Sequence, residues 1–348
     1  MAGRRRHFGA IRKLPSGRYQ ARYRGPDGVM RPARETFERK QDAAAWLSSI
    51  EAEITAGTWR DPARTDERLQ DYAERWIAER PNLRPRTVEL YRWLLGRHVT
   101  PHLGNLALAD LDGNPAVIRS WRAALLDSGI SPSMTAKAYR LLRAVLMTAA
   151  EDDEIIRRNP CRIRGAGTET APERPTLTVD QAAALAAQMP ARYSALVLLA
   201  TYASLRWGEV TAVRRTDLDL NSATIRVRRA YTELSTGRLI LGPPKSRAGV
   251  RVVAFPRGLV PLLRRHLDDY AEPGDGLIFT GPKGGPLRRS TFNRLVRSPR
   301  AVEAVGAPRL HFHDLRHTGN QLAAQVPGTT VRDLMARMGH DNERAAMI

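Results

Sequence analysis

At 348 residues the chain is longer than one hydrophobic core usually organises, so two or three domains are expected. Its 56 lysines and arginines against 36 acids leave a formal charge of +20, which favours a polyanionic partner, although an arginine-rich genome would raise the same count. The single cysteine, Cys161, excludes an intramolecular disulfide, a CxxC redox pair and a cysteine-rich zinc site; no apolar run suits a signal peptide or a membrane span, so the expected compartment is the cytoplasm, in association with the nucleoid.

Residues 1–40 hold twelve basic residues against Asp27, Glu35 and Glu38. Arg4, Arg5 and Arg6 read as a flexible basic arm, since no apolar run follows to make a twin-arginine export signal. In "GRYQARYRG", Tyr19, Ala21 and Tyr23 alternate with Arg18, Arg22 and Arg24 and the turn "GPDG" follows, the pattern of a β-hairpin with a basic face. Arg18, Tyr19, Arg22 and Arg24 are candidate DNA-binding residues, because interleaved cations and rings suit phosphate contact and base stacking; a solvated edge hairpin is the plainer alternative. Ala43, Trp46, Leu47 and Ile50 recur at helical spacing from about Arg39 to Ala56, so residues 1–62 are expected to form a small sheet backed by one helix.

The stretch "TWRDPARTDE" breaks this pattern and marks a linker. From 66 to 164 a helical domain is expected. Leu69, Tyr72, Trp76 and Ile77 share one helical face, and after the Pro81–Pro85 break Val88, Tyr91, Leu94 and Leu95 share another. Further helices are predicted in "PAVIRSWRAALLDSG", stopping at Gly129, and in "SPSMTAKAYRLLRAVLMTAAEDD", which opens with a Ser-Pro cap. The aromatic residues Trp76, Tyr91, Trp93 and Trp121 are expected in the bundle core.

A second linker, "GAGTETAPERP", leads to a third domain over 174–348. It opens with a helix capped by Thr178 or Asp180, and "RYSALVLLATYASLRWGEVTAV" supplies a buried helix running into a turn. The segments "ATIRVRRAY", "RLILG" and "GVRVVAF" predict an antiparallel three-stranded sheet, with helices after Pro256. The residues that carry chemistry are Arg206 in "SLRWGEV", Lys245 in "GPPKSRAGVRVV", His313 and Arg316 in "HFHDLRHT", and His340 in "LMARMGHDNE". Displacing an oxygen at a phosphodiester needs cations on the non-bridging oxygens and a proton for the leaving alkoxide. Two arginines can grip the phosphate and stay charged; a lysine on a mobile hairpin tip can serve as the acid; histidines can share protons near neutrality.

The order and surroundings of these residues resemble the tyrosine-recombinase (phage integrase) family, of the actinobacterial phage type, whose mechanism is related to that of type IB topoisomerases. "LRPRTVELYRWLLGRHVTPHLGNLALADL" and "NPCR" resemble its core-binding domain and the junction to its catalytic domain, and the N-terminus resembles its arm-binding domain. The resemblance implies a multidomain α+β protein: an arm-type DNA-binding domain (1–62), a helical, SAM-like core-binding domain (66–164) and a mostly helical catalytic domain (174–348) with a small antiparallel sheet. Leu205, Arg206 and Glu209 match the Leu-Arg-x-x-Glu turn, with Arg206 on the phosphate and Glu209 as a scaffold acid. Lys245 matches the hairpin lysine that protonates the leaving 5′-oxygen. His313 and Arg316 match the His-x-x-Arg motif, and Gly339 and His340 the later Gly-His pair. His311 and His317 are expected to be structural.

The family attacks DNA with a tyrosine after the Gly-His pair, through a 3′-phosphotyrosyl intermediate. The last tyrosine here is Tyr270, and Tyr202, Tyr231 and Tyr270 read as core or strand residues. Two expectations follow: a recombinase sequence stopping short of its nucleophile, so that this form binds DNA without cleaving it, or a non-catalytic DNA-binding remnant. The implied partners are double-stranded DNA attachment sites, for the full-length protein three further copies in a tetramer on DNA, and accessory DNA-bending or directionality factors; no metal or other cofactor is implied. A zinc-protease reading of His313 and His317 is weaker, because Asp314 stands where such sites carry glutamate and only His340 or Glu343 could be a third ligand.

Overall fold

In a computed structural model of the chain, residues 7–169, 174–296 and 298–340 are described; Arg4, Arg5, Arg6 and Glu343 lie outside them. The chain divides into two compact units, residues 1–170 and 171–348. The fold is α+β, with small antiparallel sheets in both units.

The first unit begins with strands β1 (Ala10–Lys13), β2 (Tyr19–Arg24) and β3 (Met30–Pro32), antiparallel in that order, with Ala10 opposite Arg22 and Arg24 opposite Met30. Helix α1 (Lys40–Thr55) covers one face through Ala43 and Leu47. The two-residue period of β2 decides which side chains meet it. Ala21 and Tyr23 are buried and Tyr19 packs against the same small core, while Arg22 and Arg24 are exposed. Tyr23 is fixed by Trp59, whose Nε1 donates to its hydroxyl at 3.0 Å, and by an edge contact to Trp46.

Short helix α2 (Pro62–Thr65), capped by Asp61, leads to α3 (Leu69–Glu79), α4 (Pro85–Leu94), α5 (Thr100–Leu103), α6 (Leu108–Leu111), α7 (Pro115–Asp127) and α8 (Pro132–Glu151). Their second core holds Tyr72, Trp76, Trp121, Tyr139, Leu142 and Leu146. Tyr91 packs against its edge. Trp93 does not join it, contrary to the sequence expectation, and is 48% exposed. Two residues, or about 200°, round the helix from Tyr91, it points away from the apolar face and rests edge-on against His98.

The second unit opens with α9 (Val179–Ala187), where Thr178 and Gln181 exchange the two bonds of a capping box. Helix α10 (Ala191–Tyr202) follows at the centre of the core, with Leu196, Leu199 and Ala200 fully buried. After α11 (Trp207–Val210) come strands β4 (Leu218–Asp219), β5 (Thr224–Val227), β6 (Ala230–Glu233), β7 (Leu239–Gly242) and β8 (Arg251–Ala254). A three-stranded antiparallel sheet is present, but its members are β4, β5 and β8; β6 and β7 form a separate hairpin. The run "ATIRVRRAY" is thus two strands, divided where Arg228 and Arg229 both turn to the buried carboxylate of Asp217. Helices α12 (Val260–Asp269), α13 (Arg289–Leu295), α14 (Ser298–Ala304), α15 (Phe312–Ala324) and α16 (Val331–Met338) complete the unit. Among the described residues no helix is long and apolar enough to cross a membrane.

Helices α10 and α15 meet so closely that a Cβ at Gly319 would lie 1.9 Å from the Thr201 carbonyl oxygen. Gly319→Ala is therefore expected to destabilise the second unit by about 1–3 kcal/mol, read as a lowered urea midpoint; an unchanged midpoint would contradict the packing described.

Candidate active site

The apolar helix α10 stops at Tyr202, and Ser204 turns the chain through a left-handed backbone (φ 51°) before Arg206 opens α11. This turn aims the Ser204 carbonyl inward and brings Arg206 beside Glu209. The Arg206 backbone N–H donates to Glu209 Oε2 at 3.0 Å and its Nη1 to Oε1 at 2.7 Å. Glu209 is 2% exposed, whereas the Arg206 side chain is 27% exposed and so reaches the surface of the site.

Helix α15 brings the next pair. His311 caps it, its N–H donating to Asp314 Oδ2 at 2.7 Å, and the ring remains largely exposed. His313, Arg316 and His317 follow at spacings that share one helical face, the two imidazoles meeting edge to face at 5.2 Å. Arg316 is almost completely buried. Its Nη1 donates to the Ser204 carbonyl at 2.6 Å, and its Nη2 to the Met338 carbonyl and to His340 Nε2, the latter at 3.2 Å. Gly339 (φ 61°) ends α16 in the left-handed conformation that lets His340 turn back onto Arg316. Because a guanidinium only donates, Nε2 of His340 is the bare nitrogen and Nδ1 carries the proton; Nδ1 is buried without a hydrogen-bond partner among the described residues.

Arg251, at the start of β8, was not singled out from the sequence. Its Nη2 donates to Glu209 Oε2 at 3.0 Å, so one buried carboxylate lies between two guanidinium groups. A signal was present: in "GVRVVAF" Arg251 is in phase with the buried Val253 and Phe255, not with the exposed Val252. Lys245 is exposed, between β7 and β8, on a loop that meets the cluster. Ser246 Oγ donates to the Gly339 carbonyl at 3.4 Å, and a Cβ at Gly339 would lie 2.7 Å from the Ala248 carbonyl oxygen. Arg206, Glu209, Arg316 and His340 are thus linked by direct contacts and shared partners, His313 stands on the same helical face, and Lys245 comes alongside through its loop. Of the candidate arm residues, all in the first unit, Arg22 and Arg24 are exposed, Arg18 donates to Thr36 and Tyr19, partly buried, packs against the small core.

The electrostatics are those of a site for an anion. Two arginines, Arg206 and Arg251, pair with the one carboxylate of Glu209, and a third, Arg316, lies close enough to feel their charge. Burial works to raise the Glu209 pKa, but the Arg251 charge and the bonds from Arg251 and Arg206 outweigh it and the net shift is downward. Burial and the Arg206 charge pull Arg316 down to about 9, still protonated at neutral pH. Burial, then His317, Arg316 and Arg206, hold His313 down to about 4. Burial, then Arg316, Arg206 and Arg251, do the same to His340, also to about 4. Tyr202, Tyr231 and Tyr270 are half-buried at a helix end, in β6 and beside Arg192. Among the described residues no three His, Cys, Asp or Glu side chains are placed to hold a metal ion.

Residues 7–56 match the phage integrase N-terminal domain, residues 68–126 the phage integrase N-terminal SAM-like domain, and residues 175–348 the phage integrase family. The chain belongs to the phage integrase family. It is 39% identical over 350 residues to the putative prophage phiRv2 integrase of Mycobacterium tuberculosis, spanning 99% of this chain and 91% of that protein. It is 34% identical over 361 residues to the integrase of Mycobacterium phage D29, spanning 100% and 93%. Among solved structures, the Tn1549 transposon integrase in complex with transposon right end DNA aligns with a TM-score of 0.70 at 20% identity, over 81% of this chain and 94% of that one. A lambda integrase tetramer bound to a Holliday junction aligns at 0.56 and 19% identity, over 99% and 95%. These two carry the likeness of fold.

The depressed histidines give this integrase a pH signature. In the unfolded chain an imidazole binds its proton near 6.5, but folded His313 and His340 refuse it until about 4. Their contribution is complete above 6.5 and is lost as the pH falls from 6.5 towards 4. His313→Gln with His340→Gln is expected to flatten the decline of the melting midpoint across that window by calorimetry; a decline as steep as in the parent chain would contradict the assigned environments.

Proposed function

We propose that this integrase recombines double-stranded DNA site-specifically, cutting and rejoining it through a 3′-phosphotyrosyl intermediate. The observation that carries the reading is the cluster in which Arg206 and Arg251 share the buried carboxylate of Glu209 while the buried Arg316 beside them bonds only to the Ser204 and Met338 carbonyls and to His340 among the described residues. A phosphodiester anion supplies the charge that such a cluster lacks, and the low-dielectric surroundings strengthen its grip.

Under this reading Arg206 and Arg316 hold the non-bridging oxygens. His340 adds a hydrogen bond from Nδ1, and as the phosphate arrives its negative charge raises the imidazole pKa values that the arginines had lowered. His313 then takes and returns protons at the reacting phosphate, while Lys245, on its exposed loop, protonates the leaving 5′-oxygen. Glu209 stays ionised and orients Arg206 without moving a proton. Residues 1–62 would bind arm-type DNA through Arg22 and Arg24, residues 66–164 the core site, and residues 174–348 would hold the scissile phosphate. Assembly as a tetramer on DNA is the corresponding proposal; the lambda integrase neighbour, solved as a tetramer bound to a Holliday junction, supports it at the level of fold.

No tyrosine follows Tyr270 in the 348 residues. These residues would then bind and orient the phosphate without supplying the attacking oxygen, and the recombinase reading requires a tyrosine encoded after Ile348. Extended through that tyrosine, the protein is expected to be trapped covalently on a nicked suicide substrate carrying its attachment site. Arg206→Ala and Arg316→Ala should each reduce adduct formation about 10²–10³-fold. Affinity for DNA should fall far less, with the salt slope of binding shallower by about one, because many other cations supply that term. An in-frame stop directly after Ile348, or an extended chain that forms no adduct, favours the non-catalytic DNA-binding reading. Loss of all binding in either folded variant would contradict the assigned roles.

A further inference from the structure

Resting on the reading of the site as a phosphate-binding centre, we infer that Arg251 is its positioning residue: it sets the Arg206 turn, the Lys245 loop and the His340 turn in register with one another without touching the phosphate. The guanidinium reaches four partners on three segments. Nε donates to the Arg337 carbonyl at 2.7 Å, two residues before Gly339; Nη1 donates to the Gly249 carbonyl at 3.0 Å, at the end of the Lys245 loop. Nη2 donates to Glu209 at 3.0 Å and to the Ser204 carbonyl at 3.5 Å. The side chain is 5% exposed, so these partners are shielded from water, and the carbonyl of Ser204 also accepts from Arg316.

A planar fork is needed for this task. A lysine places its donors at one point and cannot reach from Arg337 to Glu209, while an uncharged side chain would leave the Glu209 carboxylate with half its neutralising charge. The local backbone has little freedom once Arg251 is seated. A Cβ at Gly249 would lie 2.5 Å from the Pro244 ring, and Gly339 is already packed on Ala248. The loop bearing Lys245 and the turn bearing His340 therefore share one support, which a phosphate held by Arg206 and Arg316 would meet ready-made. Arg251 is also one of the cations that, after burial, keep the His340 imidazole neutral.

The test uses the full 348-residue chain as Arg251→Met and Arg251→Lys, followed by NMR titration of His340 and by hydrogen exchange. The reporting amides are Gly249, Val250, Gly339 and His340, all hydrogen-bonded in their turns. Arg251→Met is expected to raise the His340 pKa towards 6.5 and to speed exchange at these amides about tenfold or more, with the α8 amides of Leu142 and Leu146 unchanged. Arg251→Lys keeps the charge, so His340 should stay depressed while the same amides still exchange faster. If Arg251→Met does not fold, the lysine variant alone decides the matter. Wild-type exchange at the four amides in Arg251→Lys would overturn the inference, as would faster exchange spread evenly through α9 and α10. Neither readout uses DNA, so a wild-type chain that fails to bind DNA would remove the recombinase reading and leave these results standing.

Discussion

The carboxylate of Glu209, buried between the guanidinium groups of Arg206 and Arg251, is the interaction on which the site depends. Removing two or three arginines from water costs several kcal/mol each unless charge and hydrogen bonds compensate. One carboxylate compensates only in part, and further donors of Arg251 and Arg316 go to the backbone carbonyls of Ser204, Gly249, Arg337 and Met338. Full neutralisation would have left nothing for an incoming anion; no neutralisation would have left a core that could not close. The site sits between these limits, folded and still positive.

That balance separates two jobs that arginine performs in this chain. Exposed arginines such as Arg22 and Arg24 add to the +20 formal charge and to long-range attraction for a polyanion, a contribution that salt screens. Buried Arg316 and Arg251 add little to long-range attraction but, under the proposed reading, fix where a bound phosphate would lie. Their hydrogen bonds run to main-chain carbonyls, which cannot move without moving whole turns. The left-handed backbones at Ser204 and Gly339 belong to the same arrangement, since each aims a turn at Arg316.

Much of this was legible in the sequence, for physical reasons that differ from place to place. Helix α1, the Thr178 cap and the apolar face of Leu69, Tyr72, Trp76 and Ile77 follow from local periodicity and capping, which context rarely overturns. The α+β class and the family were legible because Arg206, Glu209, His313, Arg316 and His340 stand in recognisable local settings. What failed involved the facing of single residues and the partnering of strands. Trp93 is apolar yet off the buried stripe. The sequence between 223 and 231 alternates only as far as Arg228, and the Arg228-Arg229 pair that breaks the period is where one sheet ends and a separate hairpin begins, both side chains turned to Asp217, distant in order. Arg251 escaped because an arginine in a strand reads as surface; its phase with Val253 was the clue.

A crystal structure of the chain bound to a duplex containing its attachment site tests the reading of the buried cluster most directly. One backbone phosphate is expected within about 3 Å of donors from Arg206, Arg316 and His340, with Glu209 still held by Arg251. A duplex seated with no phosphate at those three side chains, or with Glu209 swung away to meet a different cation, would contradict it.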